Sequence, residues 1–373
     1  MAIGKNVFVS LVVLGLSLGV VAAVVPGYLA AKRDDVIRQG PGVASVHKLS
    51  EWFSGIRGTS GDTDVFVLDS GKPGATALVL GGTHGNEPAG YLTAIVIVEN
   101  AIPAAGKVLV VPHANRSAVT HTDYQEASPR TLEFQGASGR RAFRYGSRAT
   151  SPTDQWPDPD IYVHASSGQQ LSGAETRNLN RAYPGRPDGT FTERVAFAIA
   201  SLIRSEKADL VIDLHEASPE YPVVNAIVAH ERAMPVASAA VLNLEFEDIK
   251  IGLEPSPRNL RGLSHRELGD ATESLAMLCE TSNVSQGRLR GATDARQVIE
   301  GTDDKYLRAA GLGRLSVPFD ERGWPMKQRV GRHTASVAAI LAAFTSANPA
   351  KPISLGGLPS YADLMANGLE PYL

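Results

Sequence analysis

Short apolar runs, each ended by glycine, proline or a polar residue, recur along this chain after residue 60 and alternate with longer stretches of helical pattern. Runs of this kind are typical of buried strands. The pattern predicts strands at 65–68, 76–80, 107–111, 210–214, 223–228 and 275–279, and helices at 88–99, 190–205 and 330–344. Strands that alternate with helices indicate an α/β fold, which we expect to have a mixed, mostly parallel central sheet with helices on both faces.

The first forty residues follow a different pattern. Residues 6–25 are uncharged and predominantly apolar, and about 20 such residues are enough to cross a bilayer as a helix. Pro26 and Gly27 are predicted to end this helix. The apolar core of a signal peptide usually has about 7–15 residues, so the longer run favours an uncleaved membrane anchor within residues 1–35. Leu29-Ala30-Ala31 leaves cleavage of a signal open.

Composition and length indicate that an ordinary globular domain follows this segment. Of the 373 residues, 43% are hydrophobic and 20% charged, which is enough to bury a full core. We predict a main domain at 36–347 with an insertion loop at 120–173, and a poorly ordered C-terminal extension at 348–373, where proline and glycine are frequent. A net charge of −3 and a pI near 6.3 exclude a basic nucleic-acid-binding domain. Cys279 is the only cysteine, so there is no disulfide framework.

Two of the predicted strands end in residues that can bind a metal. His84 and Glu87 follow the run 76–80, and His215 follows the run 210–214. Because ligands of an α/β sheet bind at the carboxyl ends of its strands, these three side chains can meet at one ion. Two histidines and one carboxylate are a known ligand set of catalytic zinc, which keeps one position for water and lowers the pKa of that water to about 7. The sequence therefore predicts a Zn²⁺ site at His84, Glu87 and His215.

Three more polar residues fit the chemistry around such an ion. Glu280 ends the run 275–279 and can take a proton from zinc-bound water and hand it to a leaving amine. Arg181 can grip a substrate carboxylate with two parallel hydrogen bonds, and Asn180 can donate beside it. We predict Glu280 as the catalytic residue and Asn180 with Arg181 as the substrate-binding pair. Glu216 would point to the opposite face of its strand from the neighbouring histidine, and it is left out of the site.

Four motifs follow each other in an order that resembles one protein family, the zinc carboxypeptidase-like metallohydrolases. They are most similar to its succinylglutamate desuccinylase/aspartoacylase branch. The motifs are Gly81-Gly82-Thr83-His84-Gly85-Asn86-Glu87, Asn178-Leu179-Asn180-Arg181 with Tyr183-Pro184-Gly185, Asp213-Leu214-His215, and Glu280. The resemblance implies the zinc carboxypeptidase-like fold over roughly residues 60–290. It also implies the roles given above: His84, Glu87 and His215 as zinc ligands, Glu280 in proton transfer, and Asn180 and Arg181 as binders of the substrate carboxylate.

One position departs from the family pattern. The family usually has a further arginine before the Asn-Arg pair, where it polarises the scissile carbonyl, and the corresponding residue here is Gly173. The arginine that takes this role is left open among Arg177 and four residues of the insertion: Arg140, Arg141, Arg144 and Arg148. Connections as long as 120–173 are usually functional or disordered. We interpret this one as a lid or a specificity insertion.

Each assignment has a structural alternative. A single histidine after a strand is more often structural than a ligand, and only the combination of three residues favours a metal. Glu280 can be a strand-end carboxylate in contact with solvent, and Asn180 and Arg181 can cap the turn that follows them. Asp213, two residues before His215, is either a hydrogen-bond acceptor that orients a ligating imidazole or a solvent contact.

Together these residues predict a zinc hydrolase that cleaves an amide bond. Metal-bound hydroxide would attack the carbonyl, with Glu280 as general base and acid. The resemblance suggests an N-acyl amino acid or a similar small carboxylate-bearing molecule as substrate. The alternatives are a carboxypeptidase that acts on short or cell-envelope peptides, and a non-catalytic zinc-binding module. The presence of all three ligands together with Glu280 argues against the second alternative.

Charges beside the N-terminal segment bear on its orientation. Lys5 precedes the segment, whereas Lys32, Arg33 and Arg38 follow it. Positive residues tend to stay in the cytoplasm, and by count the main domain would stay there. Very short N-terminal tails on signal-like segments, however, commonly stay inside. We therefore expect a membrane-anchored protein with an extracytoplasmic catalytic domain, with signal cleavage and secretion as the alternative.

Overall fold

The computed structural model describes residues 4–30, 33–122, 128–136 and 139–373. The remaining residues include Ala31 and Lys32, on which parts of the cleavage and orientation arguments rest, and residues 123–127 and 137–138 of the predicted insertion. These positions lie outside the described residues.

Each predicted strand and helix is present, with ends that differ by up to a few residues. Within the described residues the strands are β1 (Val43–Lys48), β2 (Asp64–Asp69), β3 (Thr76–Leu80), β4 (Ile102–Ala105), β5 (Lys107–Val111), β6 (Thr131–Gly136), β7 (Gly139–Arg144), β8 (Ile161–Val163), β9 (Gln170–Ser172), β10 (Leu210–Ala217), β11 (Ala226–Ala229), β12 (Gly252–Pro255), β13 (Leu275–Ser282) and β14 (Ser354–Gly356). The helices are α1 (Lys5–Ala30), α2 (Pro88–Asn100), α3 (Arg116–Val119), α4 (Phe191–Glu206), α5 (Met234–Phe246), α6 (Ser264–Ala271), α7 (Ala295–Glu300), α8 (Asp304–Gly311), α9 (Met326–Ala347) and α10 (Tyr361–Asn367).

Eight of the described strands form the central sheet, in the order β1-β2-β5-β3-β10-β13-β11-β12. Four neighbouring pairs are parallel: β5 with β3, β3 with β10, β10 with β13, and β11 with β12. The other three pairs are antiparallel. The expected mixed, mostly parallel sheet is confirmed.

Helices cover both faces of this sheet, as expected. Side chains alternate between the two faces along a strand, and β3 shows the division clearly. Ala77 and Val79 belong to a core shared with α2, α5 and α9, whereas Leu78 and Leu80 belong to a second core shared with α4 and α6. α4 begins where the sequence pattern predicts, because Thr190 accepts from the backbone N–H of its third residue in a capping box.

The same alternation decides which side chains of β10 enter the candidate site. Asp213 and His215 share the face of Val211, which packs in the core with α4, and Glu280 lies directly beside His215 in the parallel register. Glu216 lies on the opposite face and pairs with Arg329 of α9. Its exclusion from the site therefore agrees with the structure.

Two expectations about the periphery of the main domain are wrong. The region 120–173 is not one irregular loop, because its described residues form two antiparallel hairpins, β6–β7 and β8–β9. The tail after residue 347 is not poorly ordered. β14 pairs with β4, and Ile353, Leu364 and Leu373 are buried against the rest of the chain. These few apolar residues anchor the tail despite the prolines and glycines between them.

The N-terminal helix is longer than predicted. α1 continues through Pro26 to Ala30, so the expectation that Pro26 and Gly27 end it is wrong. Its segment Lys5–Gly27 has a mean hydropathy of 2.7 and none of its 18-residue apolar window is buried. Membrane anchors and signal sequences share these properties.

Candidate metal centre

His84 and Glu87 lie in the loop between β3 and α2. Gly82 begins this loop with φ +65°, a conformation that other residues rarely adopt. Gly85 lies so close to a neighbouring segment that a Cβ there would be 2.6 Å from the carbonyl oxygen of Ala118. Glu87 directly precedes the first residue of α2. The two glycines let the loop turn tightly and bring both candidate ligands over the carboxyl end of β3.

The structure brings the three predicted ligands together. One ligand atom from each of His84, Glu87 and His215 lies within 4.8 Å of the others, and each residue is only 2% exposed. Nδ1 of His84 is 2.7 Å from Glu87 Oε1, and Nδ1 of His215 is 3.0 Å from Glu87 Oε2. Both imidazoles therefore direct the same nitrogen toward one carboxylate.

The outer nitrogens of the two imidazoles are held by other side chains. Nε2 of His84 is 2.9 Å from Asn178 Oδ1, and Nε2 of His215 is 2.9 Å from Asp213 Oδ2. Thr83 in turn donates to the other oxygen of Asp213 at 2.9 Å. Ligating histidines typically donate their second N–H to such acceptors, which fixes the ring and its tautomer. Asp213 therefore has the contacts of an orienting residue rather than those of a solvent contact.

The contacts of Asn178 determine the tautomer of His84. Asn178 Nδ2 donates to Glu175 at 2.7 Å, and its Oδ1 accepts from the backbone N–H of Asn180 at 3.0 Å. Oδ1 thus faces His84, whose Nε2 must carry the proton, and Nδ1 turns a lone pair toward Glu87. The guanidinium of Arg148 stands beside these two acceptors, with Nη1 3.2 Å from Glu87 Oε1 and 3.5 Å from His84 Nδ1. Sequence reasoning gave Asn178 no role, although its position at the start of a turn is where asparagine often accepts from the backbone.

Burial and neighbouring charges shift the pKa of each group in the cluster. Burial and the nearby Arg148 lower the pKa of His84 to about 4, so this imidazole is neutral at pH 7. Burial opposes ionisation of Glu87, but the facing imidazoles outweigh it and hold the pKa of this carboxyl well below its usual value. Burial also disfavours the charged form of His215, yet Asp213 and Glu87 raise its pKa. Two imidazole nitrogens and a carboxylate in a buried cluster are a donor set that fits Zn²⁺.

Glu280 faces the same cleft from β13. Its carboxylate forms no hydrogen bond or ion pair with any other residue that the structure describes, although it stands next to His215 in the sheet. Burial raises the pKa of Glu280 to about 8, with His215 acting in the opposite direction and Glu87 adding to the rise. A carboxyl group with a pKa near neutrality can both accept and return a proton.

Asn180 and Arg181 lie in a short turn, Leu179–Arg181, whose cap is Asn178. Asn180 Oδ1 accepts from the backbone N–H of Ser264 at 2.8 Å, which leaves its amide N–H₂ as the outward donor. The charge of Arg181 interacts with those of Glu280 and Glu87, and burial lowers its pKa. Arg181 Nε is also 3.8 Å from Glu175 Oε2.

One of the five candidate arginines contacts the cluster. Nη1 of Arg148 lies 3.2 Å from Glu87 Oε1 and 3.5 Å from His84 Nδ1, while its side chain is 47% exposed. The other four are engaged elsewhere: Arg140 with Glu133, Arg141 with Glu99, Arg144 with the carbonyls of Arg33 and Thr120, and Arg177 with Asp158.

Comparison with known families agrees with the motifs. Residues 162–279 match the sequence model of the succinylglutamate desuccinylase/aspartoacylase catalytic domain. The resemblance to this family is confirmed. The segment matched by the family contains Asn180, Arg181 and His215, whereas His84 lies before it and Glu280 directly after it.

Individual relatives cover parts of the chain. It is 28% identical over 169 residues to N-alpha-acetyl-L-2,4-diaminobutyric acid deacetylase of Halomonas elongata, which is 44% of this chain and 35% of that protein. The match thus spans about a third of the length of that relative.

Solved structures are more distant. A succinylglutamate desuccinylase from Silicibacter sp. TM1040 has 18% identity and a TM-score of 0.38, and the match covers 61% of this chain and 55% of that one. A metallo-carboxypeptidase from Burkholderia cenocepacia has 12% identity and a TM-score of 0.47, with 86% and 68% covered. Both scores are below 0.5, so the description of the fold rests on the sheet of this chain alone.

Proposed function

We propose that this protein is a zinc-dependent hydrolase that removes the acyl group from a small N-acyl amino acid. The observation that carries the proposal is the buried His84, Glu87 and His215 cluster with an unpaired carboxylate, Glu280, beside it. The family supports hydrolase chemistry, and the curated relative is named as a deacetylase of an N-acetylated amino acid.

His84, Glu87 and His215 would hold the zinc ion, and Nδ1 of each histidine faces Glu87. A bound zinc ion would supply a more acidic water and polarise the amide carbonyl. Glu280 takes the proton of the attacking water at its carboxylate and returns it to the amine that leaves. Its raised pKa keeps both directions of transfer accessible near neutral pH.

The remaining side chains bind and orient the substrate. Arg181 and the amide N–H₂ of Asn180 donate to the carboxylate of the amino-acid part, which places the acyl amide toward Glu280. Arg148 donates to the carbonyl oxygen as negative charge develops there, the role for which Gly173 offers no side chain. Glu175 near Arg181 has to give way to the substrate carboxylate, because both compete for the same guanidinium.

We further propose that α1 anchors the enzyme in a membrane, with the catalytic domain on the extracytoplasmic side. The support is its length, its apolar composition and the exposure of its surface. Such a location favours the second candidate function, a carboxypeptidase acting on short envelope peptides, because those substrates also end in a carboxylate that Arg181 can bind.

A substrate comparison tests the proposal. Purified full-length protein, loaded with one zinc per chain, is incubated with N-acetyl amino acids, including N-alpha-acetyl-L-2,4-diaminobutyrate, and with short peptides that have a free carboxyl end. Release of acetate from the first set supports the deacylase, and release of a C-terminal residue from the second supports the carboxypeptidase. Glu280→Gln should abolish either activity, whereas Glu273→Gln, on an exposed residue shortly before β13, should retain it. If neither set is hydrolysed, the non-catalytic alternative is favoured.

Arg181→Lys separates binding of the carboxylate from the chemical step. The lysine keeps the charge but loses the bidentate fork. KM should therefore rise for the acid and much less for its methyl ester, which never formed the charge-assisted pair. The matched control is Arg186→Lys, at a half-exposed arginine of the following loop. Equal losses for acid and ester would reassign Arg181 to folding or to the scissile carbonyl.

A further inference from the structure

A second cavity, of about 850 Å³, lies at the edge of the sheet formed by β11 and β12. Its walls come from these strands, from α5 and from the segment before α9, and none of the residues proposed for the metal centre lines it. Most of its wall is apolar, with Val241, Ile251, Trp324 and Met365 among the lining residues. Polar and charged residues also line it, and two of them, Asn225 and Arg332, are buried. The others are Glu245, Lys250, Glu254, Asp320, Arg322 and Gln328.

Arg332 is a buried cation without a counter-charge. It is only 9% exposed, and within the described part of the chain no carboxylate forms an ion pair with it. Its Nη1 donates to Asn225 Oδ1 at 2.9 Å, its Nε has no hydrogen-bond partner, and its guanidinium lies 4.5 Å from the centre of the Trp324 ring. Burial lowers the pKa of Arg332 to about 10.

A second arginine on the same helix shows how a buried positive charge is usually compensated. Arg329, one turn earlier on α9, is completely buried and pairs with the equally buried Glu216. Removing a charge from water is unfavourable unless an opposite charge or several hydrogen bonds replace the lost solvation. Arg329 has these within the protein, whereas Arg332 has one neutral oxygen and an aromatic face. The contacts of Arg332 therefore replace only part of the solvation that its guanidinium loses on burial, and a bound anion would replace more of it.

The acidic residues at the mouth of the cavity do not form ion pairs with Arg332. Glu245, Glu254 and Asp320 line it, but none forms an ion pair with Arg332. Asp320 instead pairs with Arg322, which is exposed at the same mouth. Arg332 therefore has no ion-pair partner among the acidic residues that line the cavity.

We propose that this cavity binds an organic monocarboxylate, with its carboxylate on Arg332 and its hydrocarbon part against the apolar wall. The carboxylates of Glu245, Glu254 and Asp320, which also line the cavity, repel a phosphate dianion more strongly than a monoanion, and this favours a monocarboxylate. Trp324 covers one face of the guanidinium, so the anion accepts from its edge. Val241, Ile251 and Met365 offer contacts to a hydrocarbon chain rather than to a sugar or a polar head group.

Hexanoate is a suitable probe for this site. In full-length protein with Trp52→Phe and Trp156→Phe, Trp324 is the one remaining tryptophan, and its fluorescence reports the cavity directly. Hexanoate should change this signal saturably with one site per chain, and neutral hexanamide should bind at least about tenfold more weakly because it lacks the charge. The site is independent of the proposed hydrolase, so His84→Ala should leave hexanoate binding unchanged.

Variants at two arginines test the assignment. Arg332→Gln should weaken hexanoate binding about tenfold or more, and Arg332→Lys, which keeps the charge without the fork, should lie between this variant and the unchanged protein. The control Arg322→Gln, at the exposed arginine of the cavity mouth, should bind hexanoate as before. Thermal unfolding of each variant verifies that it is folded. Equal binding of hexanoate and hexanamide, no saturable response to hexanoate, or unchanged binding by folded Arg332→Gln would overturn the proposal.

Discussion

The metal centre and the Arg332 cavity are both buried and charged, but they differ in how their charges are compensated. Around Glu87, two imidazoles and Arg148 surround one carboxylate, and Asp213 and Asn178 hold the far side of each ring. Around Arg332, an aromatic ring and one amide oxygen face a full positive charge. The first region has two imidazoles and a carboxylate within reach of one ion, and in the second no described carboxylate forms an ion pair with the buried guanidinium.

This difference separates the kinds of ligand that the two regions can accept. Buried charges are stable only when they are paired or bound to a ligand of opposite charge. The dense network around Glu87 fixes the ligand atoms before a metal arrives, which favours one small ion. The apolar wall around Arg332 leaves space for a larger organic anion. Variants that remove one charge at a time can therefore test the two regions independently.

The largest effect is expected from His84→Ala. Loss of one of three protein ligands should lower the zinc content from about one per chain to almost none and abolish hydrolysis. Elemental analysis of the purified protein measures the metal, and the fluorescence of Trp324 with hexanoate measures the second cavity in the same sample. Equal zinc content in the variant and the unchanged protein would sink the ligand assignment.

His47→Ala is a matched control for this variant. His47 lies on β1 and pairs with the exposed Glu51, far from the cluster in the sheet order. Its removal should change neither zinc content nor activity. If both histidine variants lose zinc to the same extent, the loss reflects a general effect on folding and does not identify His84 as a ligand.

Glu280→Gln should retain zinc but lower turnover by roughly 10²–10⁴-fold, the usual contribution of a positioned acid-base group. Glutamine keeps the size of the side chain and cannot transfer the proton. Steady-state hydrolysis of a substrate found in the screen, together with metal analysis, measures both. A variant with zinc and full activity would show that Glu280 is only a strand-end carboxylate.

The raised pKa of Glu280 also predicts a pH dependence of stability in metal-free protein. Its pKa is about 8 in the folded protein, against an ordinary value of 4.5. The folded state thus favours the protonated form, so stability is complete below about pH 4.5 and declines as pH rises toward 8. Glu280→Gln should remove this part of the decline. If the free energy of unfolding changes with pH in the same way in the unchanged protein and in Glu280→Gln, the raised pKa is contradicted.

Asp213→Asn should weaken zinc binding about 10–100-fold, the usual effect of removing a group that orients a ligating histidine. Asparagine can still accept a hydrogen bond from His215, but it no longer stabilises the ring by charge. Competition with a chelator measures the affinity. The control is Asp209→Asn. Asp209 directly precedes β10 and pairs with Lys351, so this change should leave zinc affinity unchanged. Similar affinities of both variants would return Asp213 to a purely structural role.

The central sheet could be predicted from the sequence because its strands are uninterrupted apolar runs. The runs ending before His84, His215 and Glu280 match β3, β10 and β13, whose carboxyl ends meet at one edge. The tail could not be predicted in this way. Its buried residues, such as Ile353 and Leu364, are widely spaced and have no periodicity, so proline and glycine dominated the local pattern.

The candidate site was only partly accessible to sequence reasoning. His84 and Glu87 follow β3, and His215 lies near the carboxyl end of the neighbouring β10, so topology alone suggests that they meet. The position of Arg148 depends on how the segment after β7 returns to the loop of His84, a contact between residues about sixty positions apart. The role of Asn178 depends on the orientation of its amide, which only its neighbours determine.

The smallest effect is expected at Arg332, where the charge opposes folding instead of supporting it. Arg332→Met removes an unpaired buried guanidinium and keeps an unbranched apolar stem, so the free energy of unfolding without ligand should rise by about 1 kcal/mol. Arg329→Met on the same helix should act in the opposite direction and lower it by about 3–5 kcal/mol, because Glu216 is then left as an unpaired buried charge. Denaturant unfolding in the absence of carboxylates measures both. Hexanoate should stabilise the unchanged protein and not Arg332→Met, since only a ligand that binds the folded state shifts the transition. If both methionine variants destabilise the protein equally, Arg332 is compensated by contacts within the fold, and the difference between the two regions disappears.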